Sequence, residues 1–352
     1  VDITDRTLVP LMESLASIAL VCGANYQPFA LETFQKAITL IEMCLMNFAT
    51  MGTVESDEDA DPLVCAADVL DGLVEGLGAS FPALLSSAPK GASFASILLT
   101  LAEFEVPGVR MSAFAIVGDA AGNAPEVLQG VLPGILKAGV ANLDPVHPSV
   151  CTNAVWAIGN VCIKCIGNPD PLKPIAQELM QRLIAMLMGN GVNGSGGVDI
   201  AGLTENVATT VGRLALVDPG FVAPDLPRCL LGWCDGLAKI KDPVERRDGF
   251  QGFIQTLYAN PNAIQTAAAN PADAIASILF AVVSWHMPED YEASALYQVQ
   301  FQPFPQAEAD LGTALQRLLH DIKTSVGDET WIVLEQRMPV NLRQFVRQAY
   351  QV

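Results

Sequence analysis

Three stretches of this chain align without gaps: VRMSAFAIVGD at 109–119, VCTNAVWAIGN at 150–160 and LTENVATTVGR at 203–213. Each opens on an apolar residue, carries Ser or Asn at its fourth position and an apolar residue at its fifth, and ends on a Val-Gly or Ile-Gly pair followed by a polar residue. Gly118 and Gly159 stand 41 residues apart and Gly159 and Gly212 stand 53 apart; the loop GNGVNGSGG at 189–197 accounts for the longer spacing. A fixed period of this size marks a repeat architecture, and it has to be recognised before any domain is drawn.

Stretches such as ASILLTLAEFEVPGVR (95–110), GILKAGVANLDPVHPSV (134–150) and LLGWCDGLAKIKDPVERR (230–247) run from helical apolar spacing into a turn rich in Pro, Asp or Asn. Pro at the first position of the next helix costs no hydrogen bond, because that N–H has no partner inside the helix. Each unit therefore reads as helix, short turn, helix, and two helices in roughly 40–47 residues is the HEAT-type pattern. No alternating strand pattern is present.

The fold class is all-α: a right-handed α-solenoid of HEAT-type helix pairs, one continuous array over 1–352. The expected pairs are 27–50 with 60–78, 80–103 with 106–122, 125–142 with 146–166, 170–188 with 199–217, 222–239 with 242–259, and 262–286 with 304–323. An unpaired helix opens the chain at 4–22 and another closes it near 326–350. The opening TLVPLMESLASIALV presents an apolar face with nothing upstream to cover it, which is expected of the C-terminal piece of a longer array.

Acidic residues outnumber basic ones 38 to 19, for a formal charge of −19. Such a field repels phosphate backbones and attracts cations, so nucleic acid is not the expected ligand. The start VDITDRTLVP has no basic region ahead of an apolar one, and the apolar run at 274–285, AIASILFAVVSW, is too short to span a membrane; no membrane insertion is expected.

No residue set suggests catalysis, a metal or a cofactor. Cys162 and Cys165 form a lone CxxC without a second ligand pair, and the eight cysteines read as reduced core thiols. The glycine-rich loop lacks the Lys-Ser/Thr of a phosphate cradle. ESDEDAD at 55–61 lacks the Gly and terminal Glu of a calcium loop and reads as a solvated acidic turn.

What remains is the exposed face of the second helices. Asn153 and Asn206 occupy matching repeat positions; Asp119, Asn160 and Arg213 follow the repeated glycine; Asp68, Asp71 and Glu75 are spaced along one helix so that two or three share a face. Stacked, these faces form a groove of carboxylates and amides suited to an extended cationic peptide. Trp156 aligns with Ala115 and Thr209, a spread of volume that suits a surface better than a repeated core site, although a core role stays open. The asparagines fit a peptide-holding role and an internal ladder between repeats equally.

Taken in order, DVLDGLVEGLG, VRMSAFAIVGD, VCTNAVWAIGN, ENVATTVGRLALV, WCDGLAKIKDPVERRDGFQG and VGDETW make the chain similar to the C-terminal part of the transportin family of nuclear import receptors, within the importin-β superfamily. The resemblance runs from about residue 8 to residue 350. It implies a shuttling receptor that binds basic, proline-tyrosine-type nuclear localisation signals and acts with Ran-GTP and nucleoporins in its full-length form, the main Ran site lying outside this chain. By the same resemblance the upstream hydrophobic or basic part of the signal would meet Trp156 as platform, Asn153 and Asn206 as amides, and Asp68, Glu75 and Asp119 as acids. Thr209 and Pro148 stand where the family carries apolar lining residues, and Met111 where it carries a polar one. The repeat alone also fits a scaffold that holds folded subunits through its inter-helix turns.

Overall fold

A computed structural model describes residues 7–51, 57–189, 201–288 and 300–352. Most of the loop at 189–197 and the start of ESDEDAD lie outside the described residues. Among the described residues there is no strand, and the chain packs as two compact units, Val1–Leu179 and Met180–Val352.

The first unit contains α1 (Leu8–Cys22), α2 (Gln27–Met51), α3 (Asp61–Leu77), α4 (Phe81–Ser87), α5 (Phe94–Ala102), α6 (Pro107–Asn123), α7 (Leu132–Ala141) and α8 (Pro148–Lys164). Two rows are built from them. The second helices of the pairs lie side by side, α1 on α3, α3 on α6 and α6 on α8, while α5 packs on α7 in the other row. This is the layering of an α-solenoid.

Small residues set how closely the rows approach. A Cβ on Gly72 or Gly76 of α3 would collide with the backbone carbonyl of Ala16 or Ala19 on α1, so these glycines let the two backbones touch. Phe34 of α2, Phe81 of α4 and Phe94 of α5 are buried together, their ring centroids 5.1–6.4 Å apart.

The helix α9 (Ala176–Leu187) runs across the boundary between the units. The second unit continues with α10 (Ala201–Val217), α11 (Leu226–Lys239), α12 (Pro243–Ala259), α13 (Ala263–Thr266), α14 (Pro271–Val283), α15 (Ala309–Arg337) and α16 (Val340–Tyr350). Here α10 packs on α12 and α11 on α14. Trp233 stacks edge-on against Phe253 at 5.0 Å, and Phe250 meets Trp285 at 5.4 Å.

Proline opens α6, α8, α12 and α14, as the turn reading required. Asp242 caps α12, its Oδ1 accepting from the Val244 and Glu245 N–H groups at 2.9 Å each.

Several boundaries differ from the sequence reading: the helix expected over 262–286 is divided into α13 and α14, and that expected over 170–188 begins at Ala176. The helix expected over 80–103 is broken between α4 and α5, where Gly91 sits against the Leu85 carbonyl too closely for any side chain. The helix expected at 125–142 begins as a 3-10 turn at Pro125–Leu128, and α7 starts only at Leu132. The closing helix is two: α15 bends at Gly327 (φ +78°), beside the division expected between 323 and 326, but it ends at Arg337, and Pro339 separates it from α16.

The segment 8–50 contains a window apolar enough for a membrane span, a stretch the sequence reading passed over. A 3-10 turn beginning at Gly23 (φ +55°) divides it into α1, with 15 residues, and α2, which carries Glu32, Lys36 and Glu42. Both helices pack on α3. Leu11, Ile18 and Val21 of α1 are exposed.

Candidate functional site

Seven of the nine site residues read from the sequence fall in the first unit, on α3, α6 and α8, the three neighbouring second helices. Asp68 and Glu75 lie on α3, Met111 and Asp119 on α6, and Pro148, Asn153 and Trp156 on α8.

Trp156 is the half-buried tryptophan of the chain; Trp233, Trp285 and Trp331 are all buried. Its six-membered ring lies against α6 at Gly118, where an added Cβ would collide with Cζ3 and Cε3. The repeated glycine is thus a seat for the indole, and Trp156 is neither a core filler nor a free surface residue. The six-membered ring is in contact with the seat while the side chain as a whole stays partly exposed, and Asp119 is the residue after the seat.

The amides serve the ladder role that the sequence had left open. Asn153 Nδ2 donates to the Met111 carbonyl at 3.0 Å, Asn160 Nδ2 to that of Gly118 at 3.3 Å, and Lys164 Nζ to that of Gly122 at 3.1 Å. All three span 42 residues, so α8 is pinned to α6 at one register along its length. Asn153 remains half-buried, and its Oδ1 acceptor is not used by this bond.

The acids gather where α3 meets α6, and the group includes Asp71. Burial raises the Asp71 carboxyl well above the carboxylate range, and the negative charges of Asp119, Asp68 and Glu75 raise it further. Burial also raises Asp119, with Glu75 adding to it and a lowering influence of Asp71 opposing the shift. Asp68 is raised by burial and by Glu13 of α1, against a lowering influence of Ser112. Glu75 is exposed at the edge of the cluster. Asp71 was visible in DVLDGLVE as part of the acidic face; what the spacing could not show is that it is the most enclosed of the three.

The other residues fare differently. Met111 is half-buried and contributes its carbonyl to the ladder. Pro148 is exposed as the first residue of α8, about 12 Å along the helix from Trp156 at 1.5 Å per residue. Asn206 is half-buried on α10 in the second unit. Thr209 does not offer a lining surface: it is 2% exposed, its Oγ1 is buried, and it lies where α10 closes on Gly249 of α12. The close α10–α12 contact, with Gly212 against Gly249 and Gly252, removes that position from solvent. Arg213, at the position that holds Asp119 and Asn160 in the other repeats, is likewise internal, paired with Asp248 at 2.9 Å.

All eight cysteines are free thiols and all but Cys22 are buried. Burial raises Cys165, and it pushes Cys151 and Cys229 up to about 12, so these sulfurs stay protonated. Among the described residues no group of His, Cys, Asp and Glu is arranged to hold a metal ion.

The chain has relatives among the transportins. It is 27% identical over 355 residues to Transportin-1 of Homo sapiens, covering 99% of this chain, and 34% identical over 291 residues to Transportin-1 of Oryza sativa subsp. japonica, covering 80%. Importin subunit beta-2 of Schizosaccharomyces pombe is 29% identical over 266 residues, 74% of this chain. The chain spans about a third of the length of these relatives, 35%, 30% and 28% in turn. No family model matches the sequence. Among solved structures, karyopherin Kap121p covers 99% of this chain and 32% of its own at 13% identity and a TM-score of 0.44. A designed armadillo repeat protein covers 72% of this chain and 95% of its own at 16% identity and a TM-score of 0.47.

Proposed function

We propose that this chain carries part of the cargo-binding surface of a nuclear import receptor and that the face of α3, α6 and α8 takes up an extended, basic localisation signal. The relatives named transportin and importin supply the class of activity. The observation that carries the local assignment is Trp156, held on Gly118 with Asp119 as the next residue and the Asp68, Asp71 and Glu75 carboxylates on the neighbouring helix.

In this reading an apolar or guanidinium side chain of the signal lies on the exposed part of the indole, where a cation gains about 0.5–2 kcal/mol from the ring. Lysine and arginine side chains on either side meet the carboxylates, and the Asn153 amide oxygen accepts from a peptide N–H. The receptor shuttles between cytoplasm and nucleus with such cargo.

The test is a fluorescence-anisotropy titration of a labelled basic peptide with one leucine or phenylalanine anchor against the chain and its Trp156→Ala variant. Loss of an anchoring aromatic weakens binding by about 2 kcal/mol, roughly thirtyfold. Equal affinity in a folded variant would remove Trp156 from the binding face.

A further inference from the structure

Arg246 of α12 is a half-buried cation with no anion beside it. Its Cζ lies 4.3 Å from the centre of the Trp285 ring, and its Nη2 donates to Ser284 Oγ at 2.8 Å. Ser284 gives its own hydrogen to the Ala281 carbonyl at 2.6 Å, so the acceptor that Arg246 has there is neutral. Burial lowers the Arg246 pKa to about 10, which still leaves the group charged near neutral pH.

The carboxylates of the adjoining segments are engaged elsewhere. Asp242 caps α12, Asp248 pairs with Arg213 at 2.9 Å, and Glu245 lies 3.9 Å from that same guanidinium. Glu308 lies 3.5 Å from Arg247, and Asp273 of α14 pairs with Arg337 at 3.0 Å. His286 also feels the charge of Arg246, and its own charge could only be positive. Among the described residues no carboxylate pairs with Arg246.

Two N–H donors at this place lack an acceptor. Arg246 Nε and Trp285 Nε1 are both buried, and neither has a hydrogen-bond partner. Nε is bonded to the Cζ that lies over the indole, and Nε1 belongs to that indole, so the two donors are neighbours. Nε and Nη2 share one edge of the guanidinium, the edge that a carboxylate or a phosphate spans with two oxygens. A cation–ring contact and one neutral hydrogen bond compensate only part of the cost of enclosing an unpaired charge. An oxyanion supplies both the charge and the acceptors.

We infer that Arg246 and the Trp285 Nε1–H form a binding site for a single oxyanion, phosphate or carboxylate, which bridges Nε and Nη2 and takes the indole N–H as a third donor. The site belongs to the second unit and does not depend on the cargo reading. Both nitrogens are closed to solvent, so the anion enters as a neighbour moves aside. Phe304, stacked on Trp285 at 5.1 Å, is such a neighbour, carried by residues 301–305 outside any helix.

The test is a titration of the nitrogen-15-labelled chain with inorganic phosphate, at constant pH and with sodium chloride holding the ionic strength, read on the indole N–H resonances. The Trp285 resonance, assigned with Trp285→Phe, should shift to saturation as a single site. That of Trp233, whose Nε1 already donates to the Ala208 carbonyl at 3.0 Å, should stay in place. An acetylated, amidated Ala-Glu-Ala peptide presents a carboxylate instead and separates the sources. A tighter response to the peptide assigns the site to an acidic segment of a partner, and a tighter response to phosphate assigns it to the free ion. Arg246→Lys keeps the charge but loses the two-oxygen edge, and should weaken either response by about tenfold or more. A Trp285 resonance that moves with neither probe in the unaltered chain would overturn the site, and so would a saturating shift that Arg246→Lys leaves unchanged.

Discussion

At the scale of single residues, the site depends on one side chain that is absent. Gly118 carries no Cβ, and the ring of Trp156 fills that space. Gly118→Ala should therefore displace the indole and cost about 1–3 kcal/mol, the usual range for overpacking a filled contact. Thermal unfolding checks the stability, and acrylamide quenching checks the ring, because Trp156 is the accessible indole and its quenchable signal should change. Asp71 offers a second test with a definite sign. Its folded pKa is raised above that of the unfolded chain, so above the ordinary carboxylate range the folded state has to give up a proton it favours, and stability falls as the pH rises. Asp71→Asn should raise the melting temperature relative to the unaltered chain at about pH 8 and much less at about pH 5; an equal effect at both would show that the carboxyl is not buried as described.

The same scale shows what could be read from residues alone. The aligned glycine and Trp156 were both plain in VCTNAVWAIGN and its neighbour, but that one seats the other depends on a helix-to-helix register no single repeat contains. Thr209 aligned with Trp156 and looked like a surface position; the contact of α10 with α12, made close by Gly212, Gly249 and Gly252, turns it inward. Repeat alignment carries over the angular position of a residue on its helix, not the distance of the neighbour that covers it.

At the scale of elements, the helix pairs were legible because apolar spacing and first-turn prolines both mark them. The break near Gly91 and the division at Pro339 were not, whereas the bend at Gly327 falls beside the division expected between 323 and 326. The last helix illustrates a contact sequence reading could not supply. His286 Nδ1 lies 2.7 Å from the Gln302 carbonyl, which can only accept, so Nδ1 carries the proton and Nε2 accepts from the Tyr350 hydroxyl at 2.7 Å. This neutral ring ties α16 to the end of α14. Burial lowers the His286 pKa, and Arg246 adds to the lowering. The stability it contributes is therefore present above the unfolded value of about 6.5 and is lost as the pH falls through it toward the folded value. Amide exchange in residues 340–350 should accelerate below about pH 6 while that of α6 does not, and His286→Phe should remove the difference. In the same unit, Arg213→Ala should cost about 3–5 kcal/mol by leaving Asp248 enclosed without its partner.

At the scale of the whole molecule, the formal charge of −19 sets the long-range behaviour. Basic peptides should associate faster and more tightly at low ionic strength, and exposed contacts should weaken as the screening length falls below about 8 Å near physiological salt. A part of the affinity should survive, because the seat of Trp156 and the enclosed carboxylates are less screened than the rim. The central claim is that a cationic segment lies on the face of α3, α6 and α8 with Trp156 as its platform. The four tryptophan indole N–H resonances report this directly, once Trp156→Phe has identified which belongs to Trp156. Titration with a basic, leucine-anchored peptide should shift that resonance progressively to saturation, with Trp233 and Trp331, both enclosed, scarcely moving. Binding that saturates while the Trp156 resonance stays in place would contradict the account.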